Sequence, residues 1–315
     1  MNHSLRLMMA AFFLCPSLAH AAARPAVVLS TDCGTEVDDQ WALAHLAMSP
    51  ELELRGVVTT HAPNFAAPAA ESSAQAARAM LALLPIEPKP PVFAGSSTPL
   101  EAKDRPRPSA GVDFLVREAR NHTSDDRLVV VMIGAATDVA SALLLDPAIA
   151  DRIRIVSMAF NGWPEGTDPW NVKNDIKAWQ VVLASKVPLV VGDADVTKRR
   201  LSMTARKAHS LLDGHGKAAD ELVANLERWL AKNSQMAESV AGAPGTWPIW
   251  DEVTTAYLLG LAHVRTYPRP ALRDDMTFDH SQPHGTLDWV TEIAGERLWA
   301  DLVRKLDKRP SAAQP

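Results

Sequence analysis

The sequence predicts an α/β fold built on an open, mostly parallel sheet that is flanked by helices. Apolar runs of strand length alternate with segments of helical periodicity between residues 26 and 261. Polar and acidic residues directly follow several of these runs, at the edge where parallel sheets place ligands. Because alternating strands and helices pack as a parallel sheet, residues 22–306 are expected to form a single domain.

The composition is that of a globular protein, with 47% hydrophobic and 22% charged residues among 315. The net charge of −5 and the pI near 6.1 give no basic surface for a nucleic-acid partner. Nine Trp beside two Tyr is an unusual ratio. Several of these tryptophans are expected to line a pocket.

The N-terminus has the pattern of a signal peptide, expected at residues 1–21. Arg6 supplies the positive charge, residues 7–14 form the apolar centre, and Ala19-His20-Ala21 fits the small-x-small cleavage pattern. The apolar centre is too short to span a membrane, so a periplasmic or secreted protein without a membrane span is expected. Residues 307–315 are expected to form a disordered tail.

The remaining elements are expected in a regular order. Strands are predicted at 26–29, 54–60, 91–95, 128–134, 153–160 and 187–191. Helices are predicted at 41–47, 66–84, 112–120, 254–261 and 295–306. Residues 205–230 also have a polar helical pattern, and with the Gly- and Ala-rich segment 233–246 they are expected to cover the mouth of a site.

An acidic turn follows the first predicted strand. It contains Asp32, Asp38 and Asp39, which are more carboxylates than the single one that caps a helix. Clustered carboxylates repel one another, and a hard cation relieves that repulsion by taking their oxygens as ligands. A charged helix start on the protein surface is the alternative. Cys33 would be the one cysteine left after cleavage, and we expect it to be a buried filler because neighbouring carboxylates raise a thiol pKa.

This turn resembles the signature of the nucleoside hydrolases, which are calcium-dependent N-ribohydrolases. Their strand ends in Asp-x-Asp-Pro-Gly-x-Asp-Asp. The matching residues here are Asp32, Gly34, Asp38 and Asp39. Ser30 replaces the first Asp, Cys33 replaces the Pro, and two extra residues separate Gly34 from the Asp pair. Weaker matches follow in the same order along the chain up to Leu261.

The resemblance implies a set of metal ligands and sugar contacts. Asp32, Asp39, Asp251 and the backbone carbonyl of Ile133 would hold calcium, and Asp32 would also be the general base. The residues implied to bind the ribose hydroxyls are Asp38, Asn64 and Asn171. Asp175 matches a family Asp, but a helix cap is its more ordinary role.

The base-binding side is less well defined by the resemblance. Trp250 stands where purine-preferring members stack the base, although it could instead be a packing residue. Trp163 or Trp170 could supply a second stacking ring from another loop. His61 is the remaining acid for the leaving group, and a structural histidine is the alternative.

The function that the resemblance implies is calcium-dependent hydrolysis of the N-glycosidic bond of purine ribonucleosides. Two alternatives stay open because Ser30 and the longer turn depart from the family pattern. One is a calcium-dependent binding protein for a ribosyl ligand, without turnover. The other is a hydrolase for another glycosyl compound. The expected partner is a small-molecule nucleoside, and a homo-oligomer, dimer or tetramer, is also left open.

Overall fold

A central sheet organises the protein in the computed structural model, which describes residues 24–63, 65, 67–166 and 170–307. The strands are β1 (Ala26–Thr31), β2 (Glu53–Thr59), β3 (Val92–Ala94), β4 (Leu128–Met132), β5 (Ile153–Phe160), β6 (Leu189–Asp193), β7 (Ser202–Thr204), β8 (Thr246–Pro248), β9 (Ala262–Pro268), β10 (Ala271–Leu272), β11 (Phe278–Asp279) and β12 (Thr286–Ile293).

Helices connect most of these strands. They are α1 (Asp38–Ala47), α2 (Ala69–Leu83), α3 (Ala110–Arg120), α4 (Thr137–Leu145), α5 (Trp170–Asn174), α6 (Ile176–Ala184), α7 (Ala194–Leu201), α8 (Ala205–Leu212), α9 (Lys217–Lys232), α10 (Ser234–Ala241), α11 (Glu252–Leu258) and α12 (Gly295–Leu306), with a 3₁₀ turn at Pro147–Asp151.

The sheet order is β3-β2-β1-β4-β5-β6-β12-β9. Every neighbouring pair from β3 to β12 is parallel, and β9 alone runs antiparallel, against β12. The mostly parallel α/β sheet predicted from the sequence is therefore confirmed. Two short antiparallel pairs, β7–β8 and β10–β11, lie outside this sheet.

The sheet is buried on both faces, which explains the continuous apolar runs of its central strands. All six residues of β1 are buried. Val27 and Leu29 pack into the cluster on one face, whereas Val28 packs into the cluster on the other. Cys33 is fully buried in the first cluster, as expected for a filler, and burial raises the pKa of its thiol.

Most of the predicted elements differ from the observed ones by a few residues at one or both ends, and two differences matter for the site and for the sheet edge. Helix α1 begins at Asp38 rather than at Trp41, so the acidic pair forms the first turn of the helix. Strand β9 was not predicted, since it is a half-exposed edge strand that carries His263 and Arg265 and ends in Pro268.

The predictions for the two ends of the chain fall mostly outside the residues that the structure describes. The predicted signal peptide at 1–21 and residues 308–315 of the predicted tail lie outside the described residues. Within the described ranges, no helix has the length and apolar character needed to cross a membrane.

Candidate active site

The acidic turn lies where β1 leaves the sheet and α1 begins. Gly34 adopts φ +95°, a left-handed conformation that side chains rarely adopt, and this reverses the chain after Asp32. Both the backbone N–H and the hydroxyl of Thr35 donate to the Asp32 carbonyl, at 3.1 and 2.8 Å. The turn therefore sets Asp32 beside the first turn of α1.

A group of three buried carboxylates forms at this edge of the sheet. Asp38, Asp39 and Asp251 each offer an oxygen, and these oxygens all lie within 4.8 Å of one another. Asp251 comes from the start of α11, more than two hundred positions along the chain, so folding alone brings it to the turn. We call these three residues the carboxylate triad.

The triad lies in a strongly anionic environment. Burial raises the pKa of Asp38 to about 7. Burial, followed by repulsion from neighbouring carboxylates, raises the pKa values of Asp39 and Asp251 well above their ordinary range. The same two causes act on Asp32, which is repelled mainly by Asp39 and Glu36. Adding a cation would remove this repulsion.

The triad fits a hard divalent cation. All of its donor atoms are oxygens, which suits calcium or magnesium and does not favour zinc. The triad includes Asp39 and Asp251, both expected as ligands, and adds Asp38, which the resemblance assigned to the sugar. Asp32 lies beside the triad rather than in it.

Ile133 and Asn171 meet at the same edge of the sheet. The Asn171 side-chain amide donates to the backbone carbonyls of Ile133 and Met158, at 2.9 and 3.2 Å. An added Cβ on Gly134 would lie 2.7 Å from the backbone nitrogen of Asp32, so only glycine lets the segment after β4 approach the segment after β1 this closely. The Ile133 carbonyl, which the resemblance assigned to calcium, accepts a hydrogen bond from the Asn171 side chain in this structure.

A cavity of about 430 Å³ opens from these acids, large enough for a small ligand. It is lined by Asp32, Glu36, Asp38, Met158, Ala159, Asn161, Trp170, Asn171, Lys173, Ala194, Trp229, Met236, Val240, Trp247, Trp250 and Asp251. Helices α9 and α10 supply Trp229, Met236 and Val240, so the predicted helical cover does border the cavity.

Four tryptophans line the cavity, and two of them were expected there. Trp250 and Trp170 were singled out from the sequence, and the Lys173 ammonium lies 5.3 Å from the Trp170 ring centre. Trp229 and Trp247 add a wall in which their ring centroids are 5.2 Å apart at 62°. Trp247 and Trp250 are 6.3 Å apart at 86°.

The structure places Trp163 away from this cavity. Its ring stacks on Tyr267 with the centroids 4.4 Å apart and also meets Phe278 and Trp289. These contacts give it a packing role beside the β9–β12 edge of the sheet. Asn64, which the resemblance assigned to the ribose, lies outside the described residues.

His61 lines a neighbouring cavity that shares Trp170 and Lys173 with the first. Its Nε2 lies 2.9 Å from the hydroxyl of Thr137, which donates to Asp175 at 2.7 Å. Burial lowers the pKa of His61 and so disfavours the charged acid. Asp175 accepts from the Ala178 backbone N–H at 3.0 Å, which confirms its role as a helix cap.

Sequence reasoning missed Glu36, Trp229 and Trp247 as lining residues. Glu36 lies among the extra residues between Gly34 and Asp38. Its acidic side chain in a turn that already holds three Asp residues could have indicated that it lines the cavity. Trp247 stands three residues before Trp250 in a Trp-Pro-Ile-Trp run, which was also visible. Trp229 lies in a long amphipathic helix and gave no signal of its own.

Most of the chain matches a known protein family. The model of the inosine-uridine preferring nucleoside hydrolases matches residues 27–300. The chain belongs to the nucleoside hydrolase family. Members of this family are N-ribohydrolases, so family and fold together support hydrolysis of the N-glycosidic bond of ribonucleosides.

Individual relatives are distant. An uncharacterized protein of Schizosaccharomyces pombe is 28% identical over 262 residues, covering 74% of this chain and 79% of that protein. The pyrimidine-specific ribonucleoside hydrolase RihA of an Enterobacter strain is 28% identical over 209 residues, covering 57% of this chain and 64% of its own.

Solved nucleoside hydrolases share the fold. A purine-preferring ribonucleoside hydrolase from Gardnerella vaginalis aligns with a TM-score of 0.71 at 20% identity, covering 90% of this chain and 98% of the other. A plant nucleoside hydrolase, PpNRh1, aligns with a TM-score of 0.69 at 16% identity, covering 91% and 100%.

Proposed function

We propose that the protein is a calcium-dependent hydrolase of purine ribonucleosides. The observation that carries the proposal is the carboxylate triad, which lies with Asp32 at the acidic end of a tryptophan-lined cavity. Oxygen ligands suit calcium, and an exported protein would meet calcium at high concentration. A calcium ion bound there would hold the sugar hydroxyls and orient a water molecule.

Asp32 is the proposed general base. As the water oxygen bonds to C1′ of the ribose, the C1′–N bond breaks and its electron pair leaves with the base. Asp32 takes the proton of that water. Burial and neighbouring carboxylates raise the pKa of Asp32, which increases its ability to hold a proton.

The aromatic wall is the proposed base-binding side. Trp250 and Trp247 line the cavity with Trp229, and flat aromatic bases stack on such rings. We propose a purine preference because several large rings line one part of the cavity. Asp38 and Asn171 also line the cavity and are the proposed sugar contacts.

A product assay tests the proposed function. The purified protein with calcium is incubated with inosine, adenosine, guanosine, uridine and cytidine, and free ribose is measured. We expect release from the purine nucleosides, and we expect Asp32→Asn to lower it by about 10²–10⁴-fold. The control Asp113→Asn changes an exposed residue of α3 and should retain activity.

Two results would contradict this proposal. Absence of ribose release from every nucleoside would overturn it. Nucleoside binding by calorimetry without release would instead support the calcium-dependent ribosyl-binding alternative.

We also propose that the protein is exported to the periplasm or secreted. The support is the charged, apolar and small-residue order of residues 1–21. Fractionation of cells that express the full chain would test it, and an intact N-terminus on the purified protein would contradict it.

Self-association of the protein as a dimer or tetramer stays a proposal that sedimentation can test.

A further inference from the structure

A second cavity, of about 460 Å³, lies beside the first, and helix α5 borders both of them. Asn171 lines the first cavity, and Asn174, one turn later in the helix, lines the second. Trp170 and Lys173 line both. Because Asn171 is a proposed sugar contact, a ligand that extends from the sugar past Trp170 would enter the second cavity.

The two cavities differ in the chemistry of their walls. The acids that line the first are Asp32, Glu36, Asp38 and Asp251. The described lining of the second contains no carboxyl group, and its polar side chains are a histidine, a serine, a lysine and an asparagine. The second cavity therefore offers hydrogen bonds to an organic group rather than a site for a metal ion.

Two side chains that line the second cavity carry buried donors without a partner. Asn174 is only 9% exposed, and its side-chain nitrogen Nδ2 makes no hydrogen bond within the described part of the chain. The indole nitrogen Nε1 of Trp170 is also buried and makes none. A buried N–H group that is left unpaired is costly, so both groups favour a ligand that brings oxygen acceptors.

His61 adds an acceptor to the same cavity. The Thr137 hydroxyl donates its one proton to Asp175, whose oxygens also accept from two backbone N–H groups. The Thr137 oxygen, 2.9 Å from Nε2 of His61, must therefore accept from an Nε2–H group. Burial lowers the pKa of His61 and favours the neutral ring, so Nδ1 carries no proton. Nδ1 contacts no donor among the described residues and is left to accept from a ligand.

A sugar ring matches this set of two donors and one acceptor. Each hydroxyl group both accepts and donates, so several hydroxyls on one ring can pair with Asn174, Trp170 and His61 together. A fully ionised phosphate offers oxygens to the two donors but no O–H group to Nδ1 of His61. The 5′-hydroxyl of the ribose itself is a single group and cannot serve all three.

We propose that the second cavity binds a second sugar ring, which is joined to the ribose of the substrate through O5′. The other ribose hydroxyls are assigned to calcium, which leaves O5′ as the point of attachment. This inference rests on the proposed function, because it extends the substrate of the same site. Water still bonds to C1′ and gives its proton to Asp32, while the C1′–N bond breaks and its electron pair leaves with the base. The bond between the two sugars stays intact, so the products are the free base and a disaccharide.

The test compares 5′-O-β-D-glucopyranosyladenosine with adenosine, and release of adenine is measured for both. In the wild type, kcat/KM should be about tenfold or more higher for the glucosylated nucleoside, as two or three added hydrogen bonds allow. Asn174→Leu removes the donor at similar size, and His61→Phe removes the acceptor but keeps a ring. Each variant should lower the ratio of the two kcat/KM values several-fold, and taking the ratio within one protein cancels any general loss of folded enzyme.

The matched control is Asn121→Leu, which makes the same change at an exposed residue outside both cavity linings and should leave the ratio unchanged. A wild-type ratio near one, or a ratio that neither Asn174→Leu nor His61→Phe lowers, would overturn the inference and leave the hydrolase proposal intact. A higher kcat/KM for adenosine 5′-phosphate than for the glucosylated nucleoside would assign the cavity to an anion and would also overturn it.

A binding measurement on Asp32→Asn tests the second cavity without turnover. Calorimetry in calcium should show about tenfold or more tighter binding of the glucosylated nucleoside than of adenosine, and adding Asn174→Leu should remove most of that difference. Equal affinities in Asp32→Asn would overturn the inference. If the wild type releases adenine from neither compound, the proposed function fails, and this calorimetry still decides whether the second cavity binds a sugar.

Discussion

Asp38 and Asp39 are adjacent in the chain, but different parts of the fold hold them. Asp39 accepts a hydrogen bond from the hydroxyl of Thr31 in β1. The backbone N–H groups of Trp250 and Asp251 favour the charged form of Asp38. The two carboxylates thereby fix the start of α1 against both the central sheet and the segment before α11.

A different buried carboxyl group, Asp138 of α4, gives a prediction for pH. Its Oδ1 accepts from the Ser96 backbone N–H at 2.8 Å and from the Ser109 hydroxyl at 3.2 Å, yet burial raises its pKa to about 7. An unfolded Asp titrates near ~4. Between these values the folded chain binds more protons, so the contribution of Asp138 to stability falls as pH rises from about 4 to 7.

Asp138→Asn tests this dependence because it has the same shape and no titration. The free energy of unfolding of the wild type minus that of the variant should fall by up to about 1.4 kcal/mol per pH unit across this window. Urea denaturation at several pH values measures the difference. Parallel stability curves for the two proteins would contradict the assignment.

At the scale of elements, a buried charge network ties three helices together behind the site. His45 of α1 contacts Glu252 of α11 through Nδ1 at 3.0 Å and Asp301 of α12 through Nε2 at 3.0 Å. Burial lowers the pKa of His45, but Glu252 and Asp301 outweigh this and raise it overall. Lys305 also joins the network, at 2.5 Å from Asp301. Glu252 directly follows Asp251, so the network supports the triad from behind.

His45→Leu is expected to destabilise the protein by about 3–5 kcal/mol, because it leaves the buried Glu252 carboxylate without its partner. Urea denaturation measures the loss. The matched control is His209→Leu, since His209 also contacts two carboxylates but lies on the surface. That control should leave the denaturation midpoint nearly unchanged. Equal losses for the two variants would show that the buried network has no special role.

At the scale of the whole molecule, the sequence was most informative about the middle of the sheet. Strand β5 and helix α12 have the predicted bounds because strong apolar periodicity defines them. The edge strand β9 escaped prediction because its residues are only half buried. The position of Trp163 was also hidden, since its contact with Tyr267 joins residues about a hundred positions apart.

In the candidate site, too, features set by nearby residues were predictable, and features set by long-range packing were not. Its acidic turn was predictable because Asp32, Asp38 and Asp39 are close in the chain, and the resemblance added Asp251. The position of Glu36 in the cavity depends on the backbone conformation of the longer turn, which the sequence pattern does not predict. Long-range packing also decides that Trp229 and Trp247 reach the cavity.

Calcium is expected to stabilise the whole fold through the triad. A ligand that binds only the folded chain adds about 2.7 kcal/mol to the free energy of unfolding at a hundredfold excess over its Kd. The melting temperature of the wild type should therefore rise with calcium. Asp39→Asn and Asp251→Asn should show little rise, whereas Glu36→Gln, which lies outside the triad, should keep it. A wild-type melting temperature that calcium and a chelator leave equal would contradict the metal site.

The most direct test of the central claim is the rate of ribose release as calcium is removed and returned. The cavity, the triad and Asp32 together predict release from a ribonucleoside in calcium, at least a hundredfold loss after chelation, and recovery when calcium is restored. Asp251→Asn should behave like the chelated wild type at every calcium concentration that supports wild-type activity. Ribose release that continues undiminished after complete chelation, or in Asp251→Asn, would contradict the account.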